Sequence, residues 1–191
     1  MFYHPKDGHG LPHNPFKAIV SPRPIGWMST RASMGDNLAP YSFFNAVADD
    51  PPQVMFAGGM KDSITNAREA GVFAVNIVEA AMLDAMNTTS SAYARGVDEF
   101  ARAGLAKAEC STIDCPRLAN APATLECRTR QIIALQGLDD FMVIGEVTGI
   151  HIRDDCLVGG RFDVTQFAIA ARLGYHDYTV IHTVREMIRP K

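Results

Sequence analysis

The hexamer Lys61–Asn66, KDSITN, places an ammonium group and two hydroxyls, Ser63 and Thr65, where a helix is expected to begin. The first turn of a helix leaves backbone N–H groups unpaired and carries the positive end of the dipole, so it suits a phosphate. Lys61 would add a point charge and Ser63 a hydroxyl hydrogen bond. The same residues also fit an ordinary helix start, with Asp62 as its cap and Lys61 in solvent. On local grounds that plainer reading is the stronger.

A second stretch, Asn37–Pro52 (NLAPYSFFNAVADDPP), is dense in aromatic and amide side chains but holds no His, Cys or Lys. Signatures of proteins that do their own acid, base or nucleophilic chemistry are missing elsewhere too: no GxSxG, HExxH, GxxxxGK[ST] or GxGxxG occurs. Chemistry in such a chain would fall to a bound cofactor, with the protein supplying binding and orientation. An isoalloxazine ring needs a flat apolar wall and polar partners for its edge. NLAPYSFFN offers both: Pro40 stiffens the chain, Ser42 and Asn45 bring a hydroxyl and an amide, and Tyr41, Phe43 and Phe44 can form the wall. Alternation in a strand sends some of those aromatics into an ordinary core instead.

The remaining polar residues specify less. His4, His9 and His13 sit on a Pro/Gly-rich arm and read as solvated. His151 reads as a core histidine, and nothing defines a role for His176 or His182. Cys110, Cys115, Cys127 and Cys156 form no CxxC pair and read as reduced, idle thiols, so no metal site is expected.

The elements that must position these groups are mostly strands. Residues 16–32 read as two extended segments joined at Pro22–Pro24, since proline inside each run excludes helix. Ser33–Asn37 reads as a turn, with a further extended segment from about Leu38. Gln53–Gly58 is a short strand. A helix follows with Asp62 as N-cap and Gly71 as its stop, then a buried strand at Val72–Val78. Glu79–Thr89 and Val97–Gly104 read as helical. In TLECRTRQIIAL, Leu125, Cys127 and Thr129 face one way and Glu126, Arg128 and Arg130 the other, as in a half-solvated antiparallel strand. Phe141–Arg153 is apolar on both faces at its start, cover that a second subunit could supply. Asp163–Gly174 looks like a last helix. Without regular β-α-β alternation, the pattern favours an antiparallel barrel, mainly β with short inserted helices, over a doubly wound sheet.

The 191 residues fit one domain, 1–191, with an N-terminal arm at 1–14. A net charge of −3 without any long Lys/Arg run argues against nucleic acid as a partner. The polar, proline-broken N-terminus has neither a signal-peptide layout nor a membrane span, so a cytoplasmic location is expected.

Taken together and in order, PRPIGWMST, GDNLAPYSFFN, DPPQVMF, KDSITN, GVFAVNIV, VDEF and RLG closely resemble the flavin reductase-like family. Within it the chain looks most like the branch of flavoredoxin and the reductase components of two-component monooxygenases. The resemblance implies an FMN-binding split β-barrel and a homodimer with FMN at or near the interface. It also implies NAD(P)H as co-substrate and a monooxygenase or other redox partner. By position it assigns Ser29 and Thr30 to the strand lining the site. Ser42, Phe43 and Asn45 fall to the ribityl chain and ring, and Lys61, Asp62 and Ser63 to the phosphate. It brings Asn87–Ser90 toward the flavin, from the same chain or from the partner subunit. The implied activity is flavin reduction, with a non-enzymatic electron-transfer protein as the alternative. The chain departs from the family at Gly58-Gly59-Met60, where small hydroxyl residues are common, at Ser63 in place of the commoner Thr, and at Tyr175, where glycine is frequent.

Overall fold

The structure, a computed structural model, describes residues 1–190. In chain order its helices are α1 (Phe16–Ile19), α2 (Asp62–Ala70), α3 (Leu83–Thr88) and α4 (Glu99–Arg102). The first six strands are β1 (Arg23–Pro24), β2 (Gly26–Ala32), β3 (Gly35–Tyr41), β4 (Phe44–Asp49), β5 (Pro52–Gly59) and β6 (Val72–Ile77). After α4 come β7 (Lys107–Glu109), β8 (Pro116–Leu118) and the long pair β9 (Ala123–Ala134) and β10 (Asp140–Ile152). The chain ends with β11 (Leu157–Val158), β12 (Arg161–Phe162), β13 (Ala170–Arg172) and β14 (Tyr178–Val180).

Seven strands form one antiparallel sheet in the order β3-β2-β6-β9-β10-β5-β4. Its two outer strands, β3 and β4, are consecutive in sequence and joined only by Ser42 and Phe43. Two residues cannot span an open seven-stranded sheet, whose neighbouring strands are roughly 4.8 Å apart. The sheet therefore curls until its edges meet, yet β3 and β4 do not pair. The result is a split β-barrel.

Strand periodicity divides the side chains between two cores. Met28, Phe56, Phe73 and Val143 point into the barrel, where Ile64 and Ala67 of α2 also pack. Trp27, the neighbour of Met28, faces the other way with Leu38, Met86 and Phe100. Helix α2 ends at Gly71, which takes the left-handed conformation (φ 71°) and returns its N–H to the Ala67 carbonyl. At its other end the capping position is Lys61, in extended backbone, and Asp62 is already helical; no side chain caps the first turn. The expected Asp62 cap is thus corrected by one residue.

Four other expectations need correction. Residues 16–19 are helical, because Pro15 precedes the first turn and the later prolines lie beyond its end. Strand β3 starts at Gly35, whose φ of 109° lets the hairpin close over only Ser33 and Met34. Residues 163–174 are turns and β13, since pairing with β1 and β14 overrides helical spacing and Ala168 has a positive φ. Finally, Glu126 is not solvated like Arg128 and Arg130 but is fully buried.

That burial is tolerable because the Glu126 carboxylate pins the loop between β7 and β8 to the sheet. It accepts from the backbone N–H of Ser111 (2.6 Å), the backbone N–H of Thr112 (2.6 Å) and the Thr112 hydroxyl (2.6 Å), and it meets the His151 ring. Burial pushes the carboxyl up, but bonds from Thr112, Ser111 and His151 outweigh it and hold the pKa down to about 2. An unfolded glutamate titrates near 4.3, so the ionised form adds stability above that pH. This contribution, about 3 kcal/mol, is lost as pH falls from 4.3 toward 2. Glu126→Gln is accordingly expected to lower the urea midpoint at pH 7. The gap to wild type should narrow between pH 5 and pH 3, and a gap independent of pH would contradict the assignment.

Candidate functional site in the barrel split

A cavity of about 590 Å³ lies where the barrel fails to close. One wall is the edge of β3 at Ala39–Tyr41, and the facing wall is the end of β5 at Ala57–Gly59. Among the described residues, strand β3 pairs only with β2, and beyond Ala57 the β5 backbone pairs only with β10. Two unpaired sheet edges therefore face the cavity, and their N–H and C=O groups are free to meet a ligand's polar edge. Pro40 suits such an edge because it has no N–H to lose. Gly58 lets the two walls approach closely: a Cβ there would lie 3.0 Å from the Tyr41 ring, which would have to shift to admit it. Tyr41 packs edge-on against Phe56, and burial pushes its phenol up from the ordinary range.

The Ser42–Phe43 corner closes one end. Phe43 stays 38% exposed, and the Lys17 ammonium lies 5.6 Å from its ring centroid. At the other end is the start of α2, where Lys61, Asp62 and Ser63 line the cavity and the first-turn N–H groups lack a side-chain cap. Arg95 lines the same end in two loose ion pairs, 3.6 Å from Asp62 and 3.9 Å from Glu69. Thr89, Ser90 and Tyr93 complete that side from the same chain.

Beneath this end runs a buried polar chain. The Ser63 hydroxyl donates to Asn37 Oδ1 (2.8 Å), and Asn37 Nδ2 donates to Glu99 Oε2 (3.0 Å). The same carboxylate oxygen accepts from the Leu38 N–H (3.0 Å). Burial pushes the Glu99 carboxyl up, and the bonds from Leu38 and Asn37 oppose that without cancelling it. Thr89 is held by its own pair of bonds, accepting from Trp27 Nε1 (2.8 Å) and donating to the Met86 carbonyl (2.8 Å).

Of the residues expected from sequence, the structure brings Ser42, Phe43, Lys61, Asp62 and Ser63 to one cavity. Ser63 comes by its position on the helix, since its hydroxyl is committed to Asn37. Ser29 and Thr30 do not reach the cavity: both are buried, accepting from Asn76 and Asn66. Asn45 does not line it either, because it sits on the exposed edge strand β4 and accepts from the Ala46 N–H. Lys17, Asn37, Arg95 and Glu99 line it and were missed. Glu99 lies in VDEF, a stretch noted only as helix and family block. Lys17 and Arg95 come from segments that carry no local signature.

Residues 20–168 match the flavin reductase like domain, so the chain belongs to that family. An uncharacterized protein of Deinococcus radiodurans is 36% identical over 82% of this chain and 74% of its own length. The crystal structure of nitrilotriacetate monooxygenase component B from Bacillus cereus superposes with a TM-score of 0.90 at 26% identity, covering 98% of both chains. That of the 2-nitrobenzoate 2-nitroreductase of Pseudomonas fluorescens gives 0.84 at 30% identity, over 92% of this chain and 88% of that one.

Because Glu99 satisfies both Asn37 and Leu38, its loss strands two buried donors. Glu99→Ala should cost about 1–3 kcal/mol in urea unfolding. Adding Asn37→Ala should cost less in the Glu99→Ala background than in wild type. Strict additivity of the two losses would show that the chain from Ser63 to Glu99 does not act as a unit.

Proposed function

We propose that the protein is an NAD(P)H-dependent flavin reductase that holds FMN in the barrel split. The observation that carries this reading is the pairing of an uncapped helix start and Lys61 at one end of the cavity with two unpaired strand edges along it. An elongated ligand with a phosphate at one end and a planar, hydrogen-bonding ring at the other matches both features. Lys61, Arg95 and the first-turn N–H groups of α2 would hold the phosphate. The backbone of Ala39–Tyr41 and Ala57–Gly59 would meet the polar edge of the ring, with Phe43 against its face. FMN, when bound there, would supply the redox chemistry. The protein's task is to orient the flavin and nicotinamide rings and keep water from the site, which needs no acid or base of its own.

The reading includes a homodimer working in the cytoplasm, with all four cysteines as free thiols. Exposed apolar residues on the long strands, including Ile133, Ile150 and Ile152, and Val47 on β4 support a second copy as cover. The electron acceptor on this reading is a monooxygenase partner or a small oxidant. 2-Nitrobenzoate, the substrate named for the Pseudomonas relative, is one to try.

NADH and NADPH oxidation should require flavin and rise with added FMN. A yellow protein inert to both nucleotides would instead indicate electron transfer, and a colourless one that binds no flavin would defeat both. Lys61→Ala should weaken FMN binding roughly 10- to 100-fold, as for a lost charge-assisted hydrogen bond. Turnover at saturating flavin should stay nearly unchanged, and an unaltered FMN affinity would remove Lys61 from the phosphate site. Light scattering should return twice the chain mass; a monomer at micromolar concentration would overturn the dimer.

A further inference from the structure

A second, smaller cavity of about 320 Å³ adjoins the first and shares Pro40, Ser42 and Ser90 with it. Its polar lining includes Ser42, Asn87, Ser90, Arg172, His176 and Tyr178, and no acidic residue is part of it. Arg172 stands directly opposite Arg23 across the β1–β13 pair. Arg23 is 6% exposed, and its guanidinium donates to the carbonyls of Lys17, Val20 and Leu173, with the Ser42 hydroxyl at 3.5 Å. Arg172 donates to the Tyr178 hydroxyl and the Tyr175 carbonyl. All of these partners are neutral. Among the described residues neither guanidinium meets a carboxylate, whereas Arg31, Arg130 and Arg153 each do.

Two guanidinium groups facing each other across a strand pair, one of them buried, repel each other and lack a counter-charge. Burial first, and the neighbouring Arg172 second, push the Arg23 pKa below its ordinary range, as expected of a charge that lacks compensation. Arg23 is consumed by backbone carbonyls and clamps α1 and the Leu173 segment in place. Arg172 is the one that lines the cavity. Together with the Ser42 hydroxyl, the Asn87 amide and the His176 ring, it presents hydrogen-bond donors that suit an anionic oxygen group, while the Ser90 hydroxyl is committed to the Asn87 carbonyl.

Building on the flavin reductase reading, we propose that this side cavity binds the anionic group of the redox substrate, phosphate or carboxylate, while its ring lies in the main cavity. Arg172 is then a positioning residue that selects charged substrates over neutral analogues with the same reacting ring. Two sources of that anion are possible, the phosphates of a dihydronicotinamide nucleotide and the carboxylate of an aromatic acceptor, and one experiment separates them.

The FMN-loaded protein and its Arg172→Gln and Arg172→Lys variants are assayed with two matched pairs. NADPH is set against the uncharged N-benzyl-1,4-dihydronicotinamide, and 2-nitrobenzoate against 2-nitrobenzamide. Arg172→Gln should raise KM tenfold or more for the charged member of one pair, and which pair responds identifies the source. The neutral members, kcat and FMN affinity by fluorescence quenching should stay within about twofold, with Arg172→Lys recovering part of the loss. Charged and neutral members shifting together would reduce Arg172 to its structural contacts with Tyr175 and Tyr178, and no shift in either pair would also overturn the proposal. If wild type oxidises neither dihydronicotinamide, the reductase reading fails on its own. Calorimetric binding of NADP⁺ and 2-nitrobenzoate then decides the cavity: heat lost in Arg172→Gln supports it, and no heat from wild type, or equal heat from both proteins, overturns it.

Discussion

The structure turns on a hydrogen-bonding conflict at Ser42 and Phe43. A two-residue link forces the first and last strands of a seven-stranded sheet to meet, yet β3 and β4 form no ladder there. Closing the barrel fully would satisfy those backbone groups and remove the cavity. Leaving it open preserves a slot whose walls are unpaired N–H and C=O groups, normally a liability at sheet edges. Here the edges are short, and Pro40 lies on one and Gly58-Gly59 on the other, so neither is a good template for another strand. The same residues keep the slot narrow, because Gly58 admits the Tyr41 ring at close range.

An open seam must be kept from collapsing or splaying, and buried polar groups at its margins do that. On one side Glu99 ties α4 to β3 through Leu38, and through Asn37 to Ser63 at the start of α2. On the other, Arg23 gathers carbonyls from α1 and from the segment after β13. Deeper in the sheet Asn76 joins β2 to the strands behind it: its amide donates to the Trp27 carbonyl (2.9 Å), and its oxygen accepts from Leu118 and Thr124. Each link is specific in direction and distance, unlike apolar packing, so together they fix the width of the slot more tightly than burial alone would.

Much of this was legible in the sequence because it is local. The strand period at Leu125–Arg130 and the stop at Gly71 are decided within a few residues. The start of α2 was legible for the same reason, to within one residue at the cap. Failures occurred where a distant partner decides the outcome. Residues 163–174 carry helical spacing but become strand because β1 offers an edge, and Glu126 obeys alternation but is buried because a loop fifteen residues upstream supplies its donors. Ser29 and Thr30 were placed on the right strand, but their side chains point into the interior rather than the slot. Lys17 and Arg95 were invisible, since only the folded chain brings a helix at the N-terminus and a loop after α3 to one cavity.

The distribution of charge around the slot follows a consistent logic. Exposed cations, Lys17, Lys61 and Arg95, stand at its mouth, where a ligand's negative charge can be met without deep burial of a counter-ion. The acid nearest the interior, Glu99, is held by two donors, and burial pushes its carboxyl up from the ordinary range. Asp62 is the acid left at the mouth, and Arg95 already approaches it. On the proposed reading, a site arranged this way would meet a ligand's anionic groups at its ends, with backbone edges, aromatic faces and polar side chains between them. Such an interior suits a ring that must accept negative charge without exchanging protons with the protein. The absence of His, Cys and Lys from Asn37–Pro52 accords with that reading.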